Sequence, residues 1–202
     1  MLSFDHIAVS AETLEAGVAW VEQALGVTMA GGGQHALMAT HNRLLGLGDL
    51  YLEVIAIDRQ ANPPAQPRWF DLDRFAGPPR LTNWVCRSDE IDAELATAPA
   101  GSGLPLTLSR GDYRWKMAVP ADGILPFDGA YPALIQWLTP LHPTQALPDT
   151  GVRLKTLTIR HPEPEPLRAA LRLTDPRVIL EEGPAKSLCA TFQTPNGERT
   201  LS

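Results

Sequence analysis

Glu53 lies inside an otherwise apolar run, residues 50–57, and a carboxylate is rarely buried there without a histidine, an arginine or a metal as partner. His6 lies inside residues 4–10, a short segment rich enough in β-branched side chains for a buried strand. A histidine in such a place either bonds a backbone carbonyl in the core or offers a ring nitrogen to chemistry. Brought together, a histidine and a carboxylate suit general-base work, because the carboxylate orients the ring and raises its basicity. Arg110, at a strand end beside Gly111, is either a solvated arginine at a turn or a guanidinium placed to hold a substrate carboxylate bidentately. His35 and His41 are each either surface or turn residues or a further ring nitrogen if the strand that carries them turns one inward. Of three tryptophans in predicted strands, Trp115 is expected to line a pocket and Trp84 and Trp137 to sit in the core. The Gly31–Gly33 triplet is no phosphate loop, since no Lys-Ser/Thr follows and no strand-to-helix transition surrounds it; it reads as a hairpin or rim loop.

The elements that must position these residues are legible from periodicity. Residues 4–10 read as a strand. Leu14, Val18, Val21 and Leu25 give helical spacing, with Ser10 as a cap and Gly26 as a stop. Strands are expected at 35–40, 43–47 and 50–57, the last two joined by a tight Gly48-Asp49 turn. A connector over 61–80 follows, carrying a short helix at 68–75. Then the order starts again: a strand at 81–87, a helix from Ser88 to about Ala98, and strands at 106–110, 113–119 and 133–138. This is an internal duplication. Residues 151–202 read as a partial third copy, with strands at 153–160, 178–181 and 187–194, a helix at 166–173, and an Asn196-Gly197 turn able to begin another strand. The expected units are therefore 1–60, 61–80, 81–150 and 151–202.

Strand-helix-strand-strand-strand, twice in succession, resembles the vicinal oxygen chelate superfamily, which holds glyoxalase I, extradiol dioxygenases and bleomycin-resistance proteins. Phe4-Asp5-His6-Ile7-Ala8-Val9 looks like its opening strand. Gly33-Gln34-His35, Thr40-His41-Asn42-Arg43-Leu44 and Gly48-Asp49-Leu50-Tyr51-Leu52-Glu53 resemble the glyoxalase-like branch. So do Arg110-Gly111-Asp112, Trp115 and the Ala133-Leu134-Ile135-Gln136-Trp137 segment ahead of His142-Pro143. The resemblance covers residues 4–150 and implies an α+β fold: tandem βαβββ modules forming a cup-shaped mixed sheet, followed by a βαββ-like extension. It implies that first and fourth strands each turn one side chain into the cup, which gives His6 and Glu53 in the first module. Aligning the second module places Asn83 opposite His6, 77 residues on, and Gln136 opposite Glu53, 83 residues on. All four are expected in one cavity, with His6 and Glu53 catalytic and Asn83, Arg110, Trp115, Gln136 and His35 binding substrate.

His6 and Glu53 would also ligate a divalent metal of the Zn, Fe, Ni or Mn type, but two amides in the remaining positions predict weak or absent retention. The function implied is a glyoxalase-like enzyme, of lyase/isomerase or dioxygenase type, acting on a small oxygenated organic substrate. The alternative is a metal-free protein that binds and sequesters a small molecule, of the bleomycin-resistance type.

Composition narrows the classes further. A chain of 202 residues, 44% hydrophobic and 20% charged, can bury a core. A net charge of −6 without a basic cluster argues against nucleic acid as a partner. Cys86 and Cys189 form no C-x-x-C pair and read as reduced thiols. No basic leader precedes an apolar run, and no stretch approaches the ~20 apolar residues of a membrane span. The expectation is a cytoplasmic protein, monomer or homodimer, whose partner is a small-molecule ligand.

Overall fold

The computed structural model describes residues 2–202; Met1, the first residue of the expected first module, lies outside them. The first module runs β1 (Ser3–Ser10), α1 (Leu14–Leu25), β2 (Ala30–His35), β3 (Thr40–Gly46) and β4 (Tyr51–Ile57). The second runs β5 (Arg80–Arg87), α2 (Ile91–Leu95), β6 (Leu104–Arg110), β7 (Tyr113–Val119) and β8 (Ala133–Trp137). Together they make one eight-stranded sheet in the order β2-β3-β4-β1-β5-β8-β7-β6. Each module pairs its first strand in parallel with its fourth, and β1 and β5 run antiparallel at the centre. The sheet curls until β2 and β6, its two ends, come back into contact. The fold is α+β, as the duplicated pattern requires.

Strand alternation assigns the two faces. Ile7, Val9, Val54 and Trp84 point outward and pack with Leu14, Val21 and Leu25 of α1. Fully burying one such side chain stabilises by roughly 1.5–3 kcal/mol, so this layer holds the sheet's curvature. Gly17 lets α1 approach closely, because a Cβ there would stand 2.5 Å from Val54 Cγ1. Inward, Ala8, Ile55, Val85, Trp115, Met117 and Ile135 form a second cluster, closed from above by Trp69, Phe70 and Leu72.

Helix α1 begins three residues later than its cap was expected. Thr13 caps it, its Oγ1 accepting from Ala16 N at 3.2 Å, while Ser10 bonds Thr82 Oγ1 across the β1–β5 seam at 2.6 Å. Gly26 ends the helix at φ 70°, as the sequence predicts.

The second strand departs from expectation. It occupies Ala30–His35, so the glycine triplet is strand, and residues 36–39 form the turn. Glycine disfavours strands in general, but here the backbone needs it: a Cβ on Gly32 would lie 1.9 Å from the Asn42 carbonyl oxygen.

The C-terminal region forms its own sheet from β9 (Arg153–His161), β10 (Val178–Glu182), β11 (Ser187–Thr194) and β12 (Gly197–Leu201), with α3 (Pro164–Ala170) after β9. The element order follows that of a module, but the pairing does not. Strand order is β10-β9-β11-β12, so the first strand lies between the second and third. Leu154, Leu157, Phe192 and Leu201 pack into the same core as Trp84 and α1, so this sheet covers the outer face of the cup. No helix among the described residues is long and apolar enough to cross a membrane.

Candidate functional site

The site begins with an irregularity in β1. Phe4 opposes Cys86 and His6 opposes Val85, which leaves Asp5 without a partner on β5. This β-bulge breaks alternation, so Phe4 and Ile7 both face outward and Asp5 and His6 both face in. Asp5, wholly buried, accepts from His6 Nδ1 at 2.6 Å and, through its other oxygen, from His142 Nε2 at 3.0 Å and Trp137 Nε1 at 3.1 Å. Burial pushes its carboxyl up, but the hydrogen bonds and charges of His142 and His6 outweigh burial and hold it well below the usual carboxylate range. An ionised Asp5 fixes the His6 tautomer, with the proton on Nδ1 and Nε2 turned to the cavity. The ring stacks on Tyr51, centroids 4.3 Å apart, and burial holds that phenol neutral.

Nε2 of His6 stands 3.7 Å from Glu53 Oε2, ion-pair range but too long for a hydrogen bond. Glu53 reaches this place because it opposes Ala8 on β1, on the cup face of β4. Its other oxygen accepts from Asn42 Nδ2 at 2.5 Å. Asn42 Oδ1 in turn accepts from Arg110 at 3.0 Å and from the Gly33 backbone at 2.9 Å. Gly33 makes the arginine's position possible, since a Cβ there would stand 2.5 Å from Arg110 Cδ. Arg110 pairs with no carboxylate among the described residues, so its remaining donors are open to a ligand. His35 closes the ring: Nδ1 meets Thr40 Oγ1 at 3.0 Å, and Nε2 lies 3.4 Å from Asn42 Nδ2 and 3.5 Å from Arg110. Burial, with the Arg110 charge, lowers its pKa to about 4 against the pull of Glu53, so the ring is neutral near pH 7.

These groups line one cavity with an aromatic wall of Trp69, Phe70, Trp115 and Trp137. Its volume is about 30 Å³, room for a water or two. The Trp69 indole N–H is buried without a partner. Among the residues expected here, His6, Glu53, His35, Arg110 and Trp115 are brought together. Trp137, expected in the core, also lines the cavity.

Asn83 and Gln136 do not share it, which corrects the module alignment. Asn83 does occupy the His6 position of the second module, but it opposes Ala8, two residues along β1, and faces a separate cavity beyond Phe70. Gln136 is three residues out of register, an odd shift that changes the face. Ile135 and Trp137 face the cavity, so alternation turns Gln136 away, where it accepts from Ile91 N at 3.3 Å and donates to Asp89 O at 2.6 Å at the start of α2. The strand pairing gives the true counterpart of Glu53: Ala8 opposes Glu53, Val85 opposes Ala133, and Ala133 has no donor. His41 is also apart, beside Asp58 and Arg59 on another surface.

Sequence reasoning missed Asp5, Asn42, Tyr51 and His142. Asp5 carried a signal, a charged residue inside an apolar strand next to a histidine, but alternation assigned it the opposite face.

As a metal centre the site offers His6 Nε2 and Glu53 Oε2, and the second module contributes neither Asn83 nor a carboxylate at 133. No group of three or more His, Cys, Asp or Glu side chains among the described residues is arranged to hold an ion. First-row ions need three or more protein donors, so this set does not fit one.

Comparison with known proteins places this geometry in a family. A hypothetical protein from Staphylococcus aureus of solved structure shares the fold at TM-score 0.62 and 14% identity, over 93% of this chain and 88% of that one. Methylmalonyl-CoA epimerases from Mycobacterium tuberculosis (TM-score 0.43, 16% identity, 66% of this chain and 85% of that) and Streptomyces coelicolor (0.44, 15%, 67% and 97%) are more distant. No curated protein shows a detectable similarity. The family model described as a glyoxalase-like domain matches residues 4–174, through both modules and into the C-terminal extension, and the chain belongs to that family, within the vicinal oxygen chelate superfamily.

Proposed function

We propose that this protein is an enzyme of the lyase/isomerase kind that moves a proton on a small carbonyl compound carrying an anionic group, without a metal. The observation that carries this reading is the His6–Glu53 couple, backed by Asp5 and facing the unpaired guanidinium of Arg110 within one aromatic cavity. With Nδ1–H donating to Asp5, His6 Nε2 and Glu53 Oε2 accommodate one proton between them. The couple therefore accepts a proton from carbon and returns it. As the C–H bond α to the carbonyl breaks, its electron pair moves onto the carbonyl oxygen. The enolate is held by N–H donors of Arg110, and the orphan Trp69 N–H supplies another. Return of the proton to the same carbon or a neighbouring one completes an isomerisation, and loss of a β-substituent instead completes an elimination. Ring-cleaving dioxygenase chemistry is not adopted, because two donors fall short of the set that would hold its iron. The cavity's small volume requires the Trp69–Phe70 segment or the Arg110 side chain to shift when substrate enters.

A second reading rests on the aromatic wall: a protein that sequesters a flat apolar ligand. One experiment separates the two. A panel of 2-oxo and 2-hydroxy acids is incubated with the protein in D2O, and α-proton wash-out is followed by NMR. Exchange with at least one member, slowed about 100-fold or more in Glu53→Gln, is the expected outcome. Ligand binding without exchange across the panel establishes sequestration instead.

A further inference from the structure

We propose that the second cavity, on the far side of Phe70, is a separate binding site for a small organic carboxylate with an apolar body, held by Asn83 and Lys186. This inference is independent of the proposed reaction.

The duplication supplies the first donor. The β1–β5 register shifts a second time, between Ala8 opposite Asn83 and Val9 opposite Leu81, so Thr82 is a bulge in β5 as Asp5 is in β1. Bulge and following residue match 77 positions apart, and Asn83 is aimed inward by the same device that aims His6. Its side chain is 5% exposed, lines the cavity and has no hydrogen-bond partner. The amide faces the cavity rather than being sealed in the core, so it is free to bond a ligand oxygen.

The second donor comes from outside both modules. Lys186, between β10 and β11, reaches across to donate to Thr82 O at 2.6 Å, which leaves two N–H groups of the ammonium unused. No carboxylate among the described residues lies within ion-pair distance of it. Burial, then the charge of Arg80, lowers its pKa to about 8, the mark of an ammonium short of a counter-ion. The nearest acids are otherwise placed: Asp71 pairs with Arg74 at 2.7 Å, and Asp128 is 85% exposed. Both donors converge over Gly129, where a Cβ would stand 3.5 Å from Asn83 Nδ2 and 3.6 Å from Lys186 Nζ.

The space suits more than an ion. The cavity holds about 520 Å³, far more than the His6 site, and Phe70, Phe75, Leu125 and Leu188 supply an apolar wall. A carboxylate on the two nitrogens with a ring or short chain against that wall uses every feature named.

Benzoate is the probe, with benzamide as the neutral control, titrated against the full chain and followed by amide NMR shifts and calorimetry. Expected are saturable shifts around Gly129 and Ser187, benzamide at least tenfold weaker, and at least tenfold weaker benzoate binding in Lys186→Met and in Asn83→Asp. The aspartate would pair with Lys186 internally and repel the probe. Lys186→Arg, which keeps the charge, retains binding and serves if Lys186→Met fails to fold. Benzoate binding that is undiminished in Asn83→Asp, that is matched by benzamide, or that shifts only residues around Arg110 overturns the proposal, as does the absence of binding.

Discussion

Asp5 and His6 are consecutive in a β-strand and yet face the same side of the sheet, joined by an Oδ1–Nδ1 hydrogen bond of 2.6 Å. Regular alternation forbids this, and only the bulge at Asp5 permits it. The arrangement ties three elements to one carboxylate, since Asp5 also holds Trp137 at the end of β8 and His142 on the loop beyond.

Asp5→Asn should therefore lose both stability and ring orientation. The amide cannot accept from two imidazoles and an indole as the carboxylate does, and disrupting a buried pair costs roughly 3–5 kcal/mol. Because the folded Asp5 is held below its ordinary value of 3.8, its stabilisation is full above that pH and is lost as pH falls below it. Denaturant unfolding at several pH values should show the variant weaker at neutral pH and missing this acid-side decline. An unchanged midpoint at pH 7 would remove Asp5 from the scheme.

His35 makes a second acid-sensitive contribution, in a different window. Its folded value of about 4 lies below the ordinary 6.5, so between those values the unfolded chain binds a proton that the folded protein does not. Stability then falls as pH drops from 6.5 towards 4, by on the order of 3 kcal/mol in all. His35→Gln should flatten that slope while changing stability little at pH 7.5. Parallel slopes for variant and wild type between pH 6.5 and 4.5 would show that His35 titrates freely.

Gly33→Val tests the placement of Arg110 from the backbone side. The added side chain meets the flexible Arg110 Cδ rather than backbone, so the fold should tolerate it within about 1 kcal/mol. The guanidinium must move off Asn42, and affinity for a small 2-oxo acid at this site should drop about tenfold. Retained affinity, with the Arg110 side-chain NMR signals unmoved, would count against Arg110 as the anion anchor.

What the sequence disclosed followed from periodicity. The two modules, their element order and the outward set of Ile7, Val9, Val54 and Trp84 all come from alternation and helical spacing. What it concealed lies where alternation breaks. The bulge hid Asp5, and the strand of glycines hid β2, because both depend on contacts between strands rather than on local preference. Gln136 failed for the complementary reason: β8 alternates regularly, and a three-residue slip in aligning it, an odd number, exchanged cavity for helix face. Asn42, which links Glu53 to Arg110, had no local signature at all.

Metal content offers an independent check on the donor set. With His6 and Glu53 alone at the centre, protein purified without chelator should carry divalent ion well below one equivalent by elemental analysis. A stoichiometric ion retained through dialysis would mean that His35 leaves Thr40 and Asn42 to become a third ligand, and His35→Gln should then release it.

Glu53→Gln separates chemistry from packing at the centre of the site. Glutamine keeps the length of the side chain and the oxygen that accepts from Asn42 at 2.5 Å, and removes only the negative charge opposite His6. Because the hydrogen bond survives and the 3.7 Å contact to His6 is too long to be one, the melting temperature should move by a few degrees at most. Proton exchange on substrate should fall about 100-fold or more, since the couple no longer has two sites between which to hold a proton. KM should change little, because Arg110 and the aromatic wall remain in place and they carry the binding. A purely structural Glu53 makes the opposite forecast: a clearly lower melting temperature with turnover retained. Measuring both in one variant decides between them, and the second pattern would leave the cavity without its base.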